Sequence, residues 1–252
     1  MCTVVILHRP DHPWPLLFAS NRDEMRDRPW KPPARHWPDR PNVVAGLDEL
    51  AHGTWLGLND DGVLAGVLNR PGTLGPAPGL RSRGELVLEA LDHADAAAAV
   101  DALSAIDPRA YRAFNLVVAD DRDAYWIRSL GEGDIGVTVA EIPPGLSMIT
   151  ARDRNDLESA RIRFHLPRFE QAPTPDPGRG EWRAWEDLLK SREAEPDAGP
   201  HGAMTIVTDT GFETISSSLI ALPARHLTPV RKPVWRFLSR RSDSLGYSQV
   251  KI

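Results

Sequence analysis

Short runs of apolar residues recur along the chain, and their spacing predicts strands and helices in alternating groups. The β-branched run Thr3–His8 predicts a strand, and Leu16–Ala19 begins a second one after a proline-rich turn. Residues 52–69 predict two strands joined at Asn59-Asp60-Asp61-Gly62, a sequence typical of a tight hairpin. Further strands are predicted at residues 114–120, 124–129, 205–208 and 214–222, and irregular loops at residues 23–41 and 69–79.

Helical patterns separate these groups of strands. Ser82 and Glu85 have the spacing of a capping box before an apolar run, which predicts the start of a helix. Proline predicts where two other helices end, because it cannot continue a helix without strain. The other predicted helices span residues 94–106, residues 156–170 with a kink or stop near Pro167, and residues 181–193.

This order of elements predicts the fold class. Neighbouring strands are mostly joined by tight turns, so the sheets should be largely antiparallel. Two such sheets packed face to face, with helices outside, would accommodate all the predicted strands and helices. We therefore predict an α+β fold, a four-layer αββα sandwich, in a single domain of residues 1–252.

The composition narrows the class of protein. Hydrophobic content of 41% and charged content of 26% are ordinary for a globular protein with a sizeable core. The net charge of -5 and the lack of basic runs argue against a nucleic-acid binder. No stretch approaches the roughly 18 apolar residues of a membrane span, and the first apolar run is too short for a signal peptide. We expect a cytoplasmic protein without a membrane span; its oligomeric state stays open.

The histidines and the cysteine give no sign of a metal or cofactor site. The eight histidines are scattered, and none has metal-ligand spacing with a second histidine or with the cysteine. The Cys-x-x-Cys-His sequence that attaches haem covalently is absent from the sequence. We therefore expect no cofactor.

The only cysteine is residue 2, and the first predicted hairpin returns the chain to it. If Leu7 or His8 pairs with Leu16, Cys2 lies opposite Asn21 or Arg22. Removal of Met1 would give Cys2 a free α-amine, with a pKa of about 7.7–8.0, close to its own thiol. That amine can act as the general base for the nucleophile. A buried structural cysteine is the alternative, and it is the commoner role of a free cysteine.

Several motifs, in order along the chain, resemble those of the NRDE family, also called the transport and Golgi organisation 2 family. The resemblance covers most of the chain, and the order of its motifs makes it specific. The matching motifs are MCT (1–3), NRDE (21–24), GTWLGLN (53–59), SRGELV (82–87), FNL (114–116), GLS (145–147) and SSSLIALP (216–223).

The resemblance implies the αββα fold of the N-terminal nucleophile hydrolases. Their bile-salt hydrolase and penicillin V acylase branch also begins Met-Cys-Thr and carries Arg-Asn-x-Asp on its second strand. Asn21 and Asp23 match that Asn and Asp. The chain departs from the relatives at three places where they carry arginine or asparagine, namely Ser20, Met148 and Ile215.

Two hypotheses about function follow. In the first, Cys2 attacks an amide or thioester carbonyl as an amidohydrolase or acyltransferase. Asp23 orients the amine, Arg22 lowers the pKa of the thiol, and Asn115 or a backbone N–H stabilises the oxyanion. In the second, the protein is a non-catalytic carrier of haem or of an acyl or lipid ligand, functions with which eukaryotic family members have been connected. The intact nucleophile position favours the first hypothesis, and the three departures favour the second.

Other residues are candidates for binding a small acyl or amide ligand. Asn69 is a second candidate amide donor, next to the Gly/Pro loop 69–79, which is either a mobile rim or a structural loop. Trp55 could line an apolar pocket with Trp30 and Trp37, although core packing better explains it. Arg28 could meet an anionic group of a substrate, or it could be a solvated loop charge.

Overall fold

The computed structural model describes residues 2–131, 136–229, 231–240 and 246–252. Met1, whose removal the N-terminal nucleophile hypothesis requires, lies outside the described residues. The described chain contains thirteen strands: β1 (Thr3–His8), β2 (Leu16–Met25), β3 (Trp30–Ala34), β4 (Val43–Asp48), β5 (Leu56–Asn59), β6 (Leu64–Asn69), β7 (Phe114–Ala119), β8 (Ala124–Ser129), β9 (Thr138–Glu141), β10 (Gly145–Ile149), β11 (Phe212–Leu222), β12 (Val234–Ser239) and β13 (Ser248–Gln249).

Four α-helices accompany the strands in the described residues. They are α1 (Gly84–Ala90), α2 (Ala96–Ser104), α3 (Ala160–Gln171) and α4 (Arg183–Lys190). Short 3-10 turns cover Pro108–Ala110, Pro196–Ala198 and Pro200–Gly202. No helix among the described residues is both long and apolar enough to cross a bilayer.

The chain divides into two compact units, and each holds one antiparallel sheet. Unit 1 comprises Met1–Arg28 and Pro144–Val250; unit 2 comprises Pro29–Pro143 and Lys251–Ile252. The six strands of unit 1 lie in the order β10-β1-β2-β11-β12-β13, and the seven of unit 2 in the order β3-β4-β5-β6-β7-β8-β9. Two antiparallel sheets with accompanying helices confirm the predicted α+β class. The prediction of a single domain stays a prediction.

In unit 1, one face of the sheet packs under α3 and α4. Side chains at alternate positions of β1, β2 and β11 form this buried face together with apolar residues of the two helices. The helix residues in this core are Ile162, Leu166, Phe169, Trp185 and Leu189. The apolar stripe of α3 is therefore what fixes that helix on the sheet.

In unit 2, α1 and α2 cover one face of the seven-stranded sheet in the same way. Leu86, Val87 and Leu91 pack with alternate residues of β6 and β7 such as Ala65 and Leu116. The predicted capping box does not form. Ser82 Oγ accepts from the N–H of Gly84 rather than from that of Glu85, and the Glu85 carboxylate pairs with Arg81.

Several predicted elements are confirmed and others are wrong. The hairpins β5–β6 and β7–β8 and the first strand lie where the turn sequences place them. Residues 23–41 are not one irregular loop, because β2 runs to Met25 and Trp30–Ala34 forms an edge strand. Helix α3 begins at Ala160 and continues past Pro167, and residues 205–208 contribute only one isolated bridge, at Val207.

Candidate active site

Cys2 directly precedes β1 and lies next to the end of β2. The strand register pairs Thr3 with Asn21 and His8 with Leu16, so its continuation sets Cys2 across from Arg22. The thiol Sγ donates to the backbone carbonyl of Asp23 at 3.8 Å, and the side chain is partly buried. This confirms one of the two predicted registers and the predicted contact with residue 23.

The NRDE sequence is divided between the two faces of its sheet. Because side chains alternate along a strand, Asn21 and Asp23 share the face that carries α3 and α4, and Arg22 lies on the other. Continuation of the same register puts Cys2 on the face of Arg22. The motif therefore places Arg22 on the same face of the sheet as the Cys2 thiol, whereas Asn21 and Asp23 hold the strand from the helix-covered face.

Asp23 is held by a buried cation and a hydroxyl. Arg161 of α3 donates from Nη1 to Asp23 Oδ2 at 3.0 Å and to Thr3 Oγ1 at 2.5 Å. Thr214 Oγ1 donates to the other carboxylate oxygen at 2.6 Å. The remaining nitrogens of Arg161 reach the carbonyl of His201. The Arg161 side chain thus links Thr3, the residue after Cys2, to Asp23, whose backbone carbonyl accepts from the Cys2 thiol.

Asn21 is the centre of a second buried network. Its Nδ2 donates to the carbonyls of Leu189 and Met204 at 2.9 and 2.8 Å, and its Oδ1 accepts from Ser217 Oγ at 2.6 Å. These bonds use the amide as a link between β2, β11 and the end of α4. A buried amide that bonds to three protein groups stabilises the fold, since its loss would leave several buried polar atoms without a hydrogen bond.

Burial dominates the electrostatics of the Cys2 thiol. Burial raises the pKa of the Cys2 thiol, and the Asp23 carboxylate raises it further, whereas Arg22 lowers it by less. Arg22 thus acts in the predicted direction. Desolvation of the thiolate outweighs its effect, so the net pKa of the thiol is raised rather than lowered.

Arg28 and Glu24 end the NRDE segment with an ion pair. Arg28 Nε lies 3.8 Å from Glu24 Oε2, and the Glu24 side chain also accepts from the N–H of Met25. Arg28 is mostly buried, so it is not the freely solvated loop charge that we considered. A contact between Arg28 and an anionic group of a substrate stays a prediction.

Asn115 lies in unit 2, buried on β7. Its Oδ1 accepts from Arg70 Nη1 at 2.8 Å and from Trp126 Nε1 at 3.2 Å. Those two donors set the orientation of the amide. Asn115 also pairs across the strands with Leu68 and Arg128.

The other two predicted ligand-binding residues also lie in unit 2. Asn69 ends β6, where it pairs with Phe114. Trp55 contacts the ring of Trp30 edge to face at 5.6 Å, and it covers Gly46 so closely that a Cβ there would lie 2.2 Å from its ring. This close packing supports the structural interpretation of Trp55.

The loop after Asn69 is anchored by arginines. Arg83, from the SRG sequence, donates to Thr73 Oγ1 at 2.9 Å and to the Ala113 carbonyl at 3.2 Å. Arg112 donates to the carbonyls of Gly72 and Leu74 at 2.7 and 2.8 Å. These bonds favour a structural loop over a mobile rim.

The three positions where the resemblance predicts arginine or asparagine have defined places in unit 1. Met148 is buried in the core under α3 and α4, and its backbone N–H donates to Asn155 Oδ1 at 2.7 Å. Ile215 is buried in the irregularity of β11 between Thr214 and Ser216. Ser20 pairs with Val4 and Ser218.

Sequence reasoning missed the residues that hold the motif. Arg161, Thr214 and Ser217 come from elements more than 100 residues away from β2. One signal was available: Arg161 and His165 are polar residues that share the apolar stripe of α3 with Ile162 and Phe169. Polar groups on such a stripe indicate a buried partner. In the part of the chain that the structure describes, His, Cys, Asp and Glu side chains form no cluster of three or more suited to a metal ion.

The fold is that of the N-terminal nucleophile hydrolases. The structure is similar to penicillin V acylase from Agrobacterium tumefaciens, with a TM-score of 0.50 and 14% identity over 96% of this chain and 84% of that one. It is also similar to a mutant of the conjugated bile acid hydrolase from Clostridium perfringens, with a TM-score of 0.54 and 11% identity over 100% of this chain and 92% of that one. Identities this low show a shared fold alone.

The chain belongs to the Transport and Golgi organisation 2 family, whose model matches residues 1–158. It is 36% identical over 115 residues to the Transport and Golgi organization 2 homolog of Mus musculus. That match covers 42% of this chain and 38% of the mouse protein, so the chain spans well under half of the relative's length. The predicted family is thereby confirmed.

Proposed function

We propose that this protein is an amidohydrolase or acyltransferase that uses Cys2 as an N-terminal nucleophile. The observation that carries the proposal is the position of Cys2, opposite Arg22 and in contact with Asp23 at the start of β1. The similar solved structures include a protein named as a penicillin V acylase and one named as a conjugated bile acid hydrolase.

The proposed reaction begins once Met1 has been removed. The free α-amine of Cys2 takes the thiol proton, and the sulfur attacks the carbonyl carbon while the carbonyl electrons move to oxygen. Collapse of the tetrahedral intermediate breaks the C–N bond, and the leaving amine takes the proton back from the ammonium. Water then attacks the thioester with the amine as base, which releases the carboxylic acid and restores the thiol. An acceptor amine in place of water would give acyl transfer.

The raised pKa of the thiol is consistent with a reaction in which the α-amine of Cys2 removes the thiol proton. A thiol kept protonated by burial needs a nearby base, and an α-amine with a pKa of about 7.7–8.0 can serve near neutral pH. The Arg161–Asp23 ion pair would hold the end of β2 in place next to this amine. A backbone N–H near Cys2 would stabilise the oxyanion, and the role of Asn115, which belongs to unit 2, stays a prediction.

The second candidate is a carrier of haem or of an acyl or lipid ligand. Met148 and Ile215 favour it, because both are apolar and buried at positions where the family resemblance leads us to expect asparagine and arginine.

Turnover of acyl amides and thioesters by the wild type, Cys2→Ala and Cys2→Ser separates the two functions. We expect cleavage by the wild type, none by Cys2→Ala, and little by Cys2→Ser, whose hydroxyl is harder to deprotonate. Both variants keep a small residue at position 2, so both should be processed like the wild type, and intact mass checks this.

The contrary result is equally specific. A broad panel without any Cys2-dependent turnover would remove the enzyme hypothesis. Specific binding of haem or of a long-chain acyl ligand, with equal affinity for the wild type and Cys2→Ala, would then establish the carrier.

A further inference from the structure

Arg240 is a half-buried cation whose partners are hydroxyl groups. It follows β12, and its Nη2 donates to Thr205 Oγ1 at 2.9 Å and to Ser217 Oγ at 3.5 Å. Its backbone N–H binds the carbonyl of Ile215. Among the described residues, no carboxylate lies within ion-pair distance of Arg240, and its Nε has no hydrogen-bond partner.

Such a cation is costly to bury. Removing a guanidinium from water is repaid only by an opposite charge or by complete hydrogen bonding. The carbonyl end of α4 lies close, through the bond of Thr205 Oγ1 to the Leu189 carbonyl, but a helix end supplies only about half a charge. Burial accordingly lowers the pKa of Arg240.

The hydroxyl of Tyr247 is a second polar group near Arg240. The Tyr247 hydroxyl makes no hydrogen bond of normal geometry with the described residues, although Ser217 is near it. Burial raises the pKa of Tyr247 well above its usual range, so the phenol stays protonated and able to donate. Two cations lie over its ring, Lys190 Nζ at 5.5 Å and Arg236 Cζ at 5.9 Å from the centroid, and the Glu186 carboxylate also acts on the phenol.

We propose that Arg240 and Tyr247 form a binding site for an oxyanion, the carboxylate or phosphate group of a small molecule. The guanidinium supplies the charge and a donor at Nε, and the phenol supplies a second donor. Lys190, which is exposed, would draw the anion toward the site. The acidic side chains that act on this site from the described residues are engaged by other arginines, Glu186 by Arg236 at 2.7 Å and Asp23 by Arg161 at 3.0 Å. The site does not depend on chemistry at Cys2.

Calorimetric titration of the full chain with inorganic phosphate and, separately, with acetate tests this site. Constant ionic strength removes the general effect of salt. We expect saturable binding of at least one anion, weakened about tenfold or more in Arg240→Gln because a charge-assisted bond is lost. Tyr247→Phe keeps the charge and should weaken binding less. The two anions distinguish a phosphate from a carboxylate ligand.

Arg183→Gln is the matched control, because it removes the same charge from an arginine whose side chain is 94% exposed. Asp243 lies outside the described residues, three positions after Arg240 in the sequence, so Asp243→Asn is included. Binding of neither anion by the wild type would overturn the proposal. So would equal losses in Arg183→Gln and Arg240→Gln, or binding that appears only in Asp243→Asn. If Arg240→Gln fails to fold, unchanged affinity in Tyr247→Phe would overturn the two-residue site.

Discussion

Arg161 and Arg240 both reach the helix-covered face of the sheet in unit 1, yet they meet different partners. Arg161 donates to the Asp23 carboxylate, the Thr3 hydroxyl and the His201 carbonyl, and its side chain is 2% exposed. Arg240 meets two hydroxyls. The first cation has its counterion inside the fold and therefore acts as a structural clamp. The second lacks one among the described residues, which is why we assign a ligand to it.

The largest effect should come from breaking the paired cation. Arg161→Met leaves the Asp23 carboxylate buried without its counterion, which should cost about 3–5 kcal/mol in the free energy of unfolding measured with urea. The double variant Arg161→Met/Asp23→Asn should recover much of that loss, because it removes both charges. A loss below about 1 kcal/mol in the single variant would show that the pair is not the clamp.

A pH dependence of stability should follow from His165, one turn along α3 from Arg161. Burial, then the charges of Arg161 and Arg168, lower the pKa of His165 to about 4, whereas an unfolded histidine titrates near 6.5. The unfolded chain thus binds the proton first, and stability is lost as pH falls from about 6.5 to 4. We expect a loss of about 2–3 kcal/mol across this window, measured by urea denaturation.

His165→Gln supplies the control for that window, because it removes the titrating group from the same position. Its stability should vary much less between pH 6.5 and 4 than that of the wild type. An identical pH dependence in both proteins would assign the effect to other groups.

Replacement of the cation without a counterion should have a smaller effect. Arg240→Met removes a half-buried charge with no described carboxylate partner, so in anion-free buffer the free energy of unfolding should change by about 1 kcal/mol or less. The measurement is the same urea titration used for Arg161→Met. A loss as large as that of Arg161→Met would show that Arg240 is neutralised within the fold.

The smallest effect concerns the thiol itself. Arg22 lowers the pKa of Cys2 only against the larger effect of burial, so Arg22→Gln should slow alkylation by iodoacetamide modestly at a fixed pH of 8. Arg28→Gln, which changes the same charge beside Glu24, should leave the rate unchanged. Faster alkylation in Arg22→Gln would reverse the assigned electrostatics.

Local signals predicted part of this architecture. The hairpins β5–β6 and β7–β8 follow from turn sequences and alternating apolar residues, which act over a few positions. The first hairpin also fixed the register that returns Arg22 to Cys2. Strand β3 was missed because Pro32 and Pro33 argue against a strand, and they are tolerated at an edge with an irregular register.

Long-range contacts could not be predicted in the same way. Strand β2 pairs with β11, almost 200 residues later, and β1 pairs with β10. Arg161 meets Asp23 only because that pairing and the apolar stripe of α3 bring them together. The motif indicated where the thiol lies, but its buried supports depend on the complete sheet. Burial of the thiol, which outweighs the effect of Arg22 on its pKa, likewise depends on the complete fold.

The most direct test of the nucleophile is mass spectrometry of the acid-quenched protein after incubation with an acyl amide that it cleaves. The account predicts a chain without Met1 that carries the acyl group on Cys2, and hydroxylamine should remove that group because a thioester is labile to it. The group should be absent from Cys2→Ala. A chain that retains Met1, or one that cleaves the amide with no acyl group ever found on Cys2, would contradict the account.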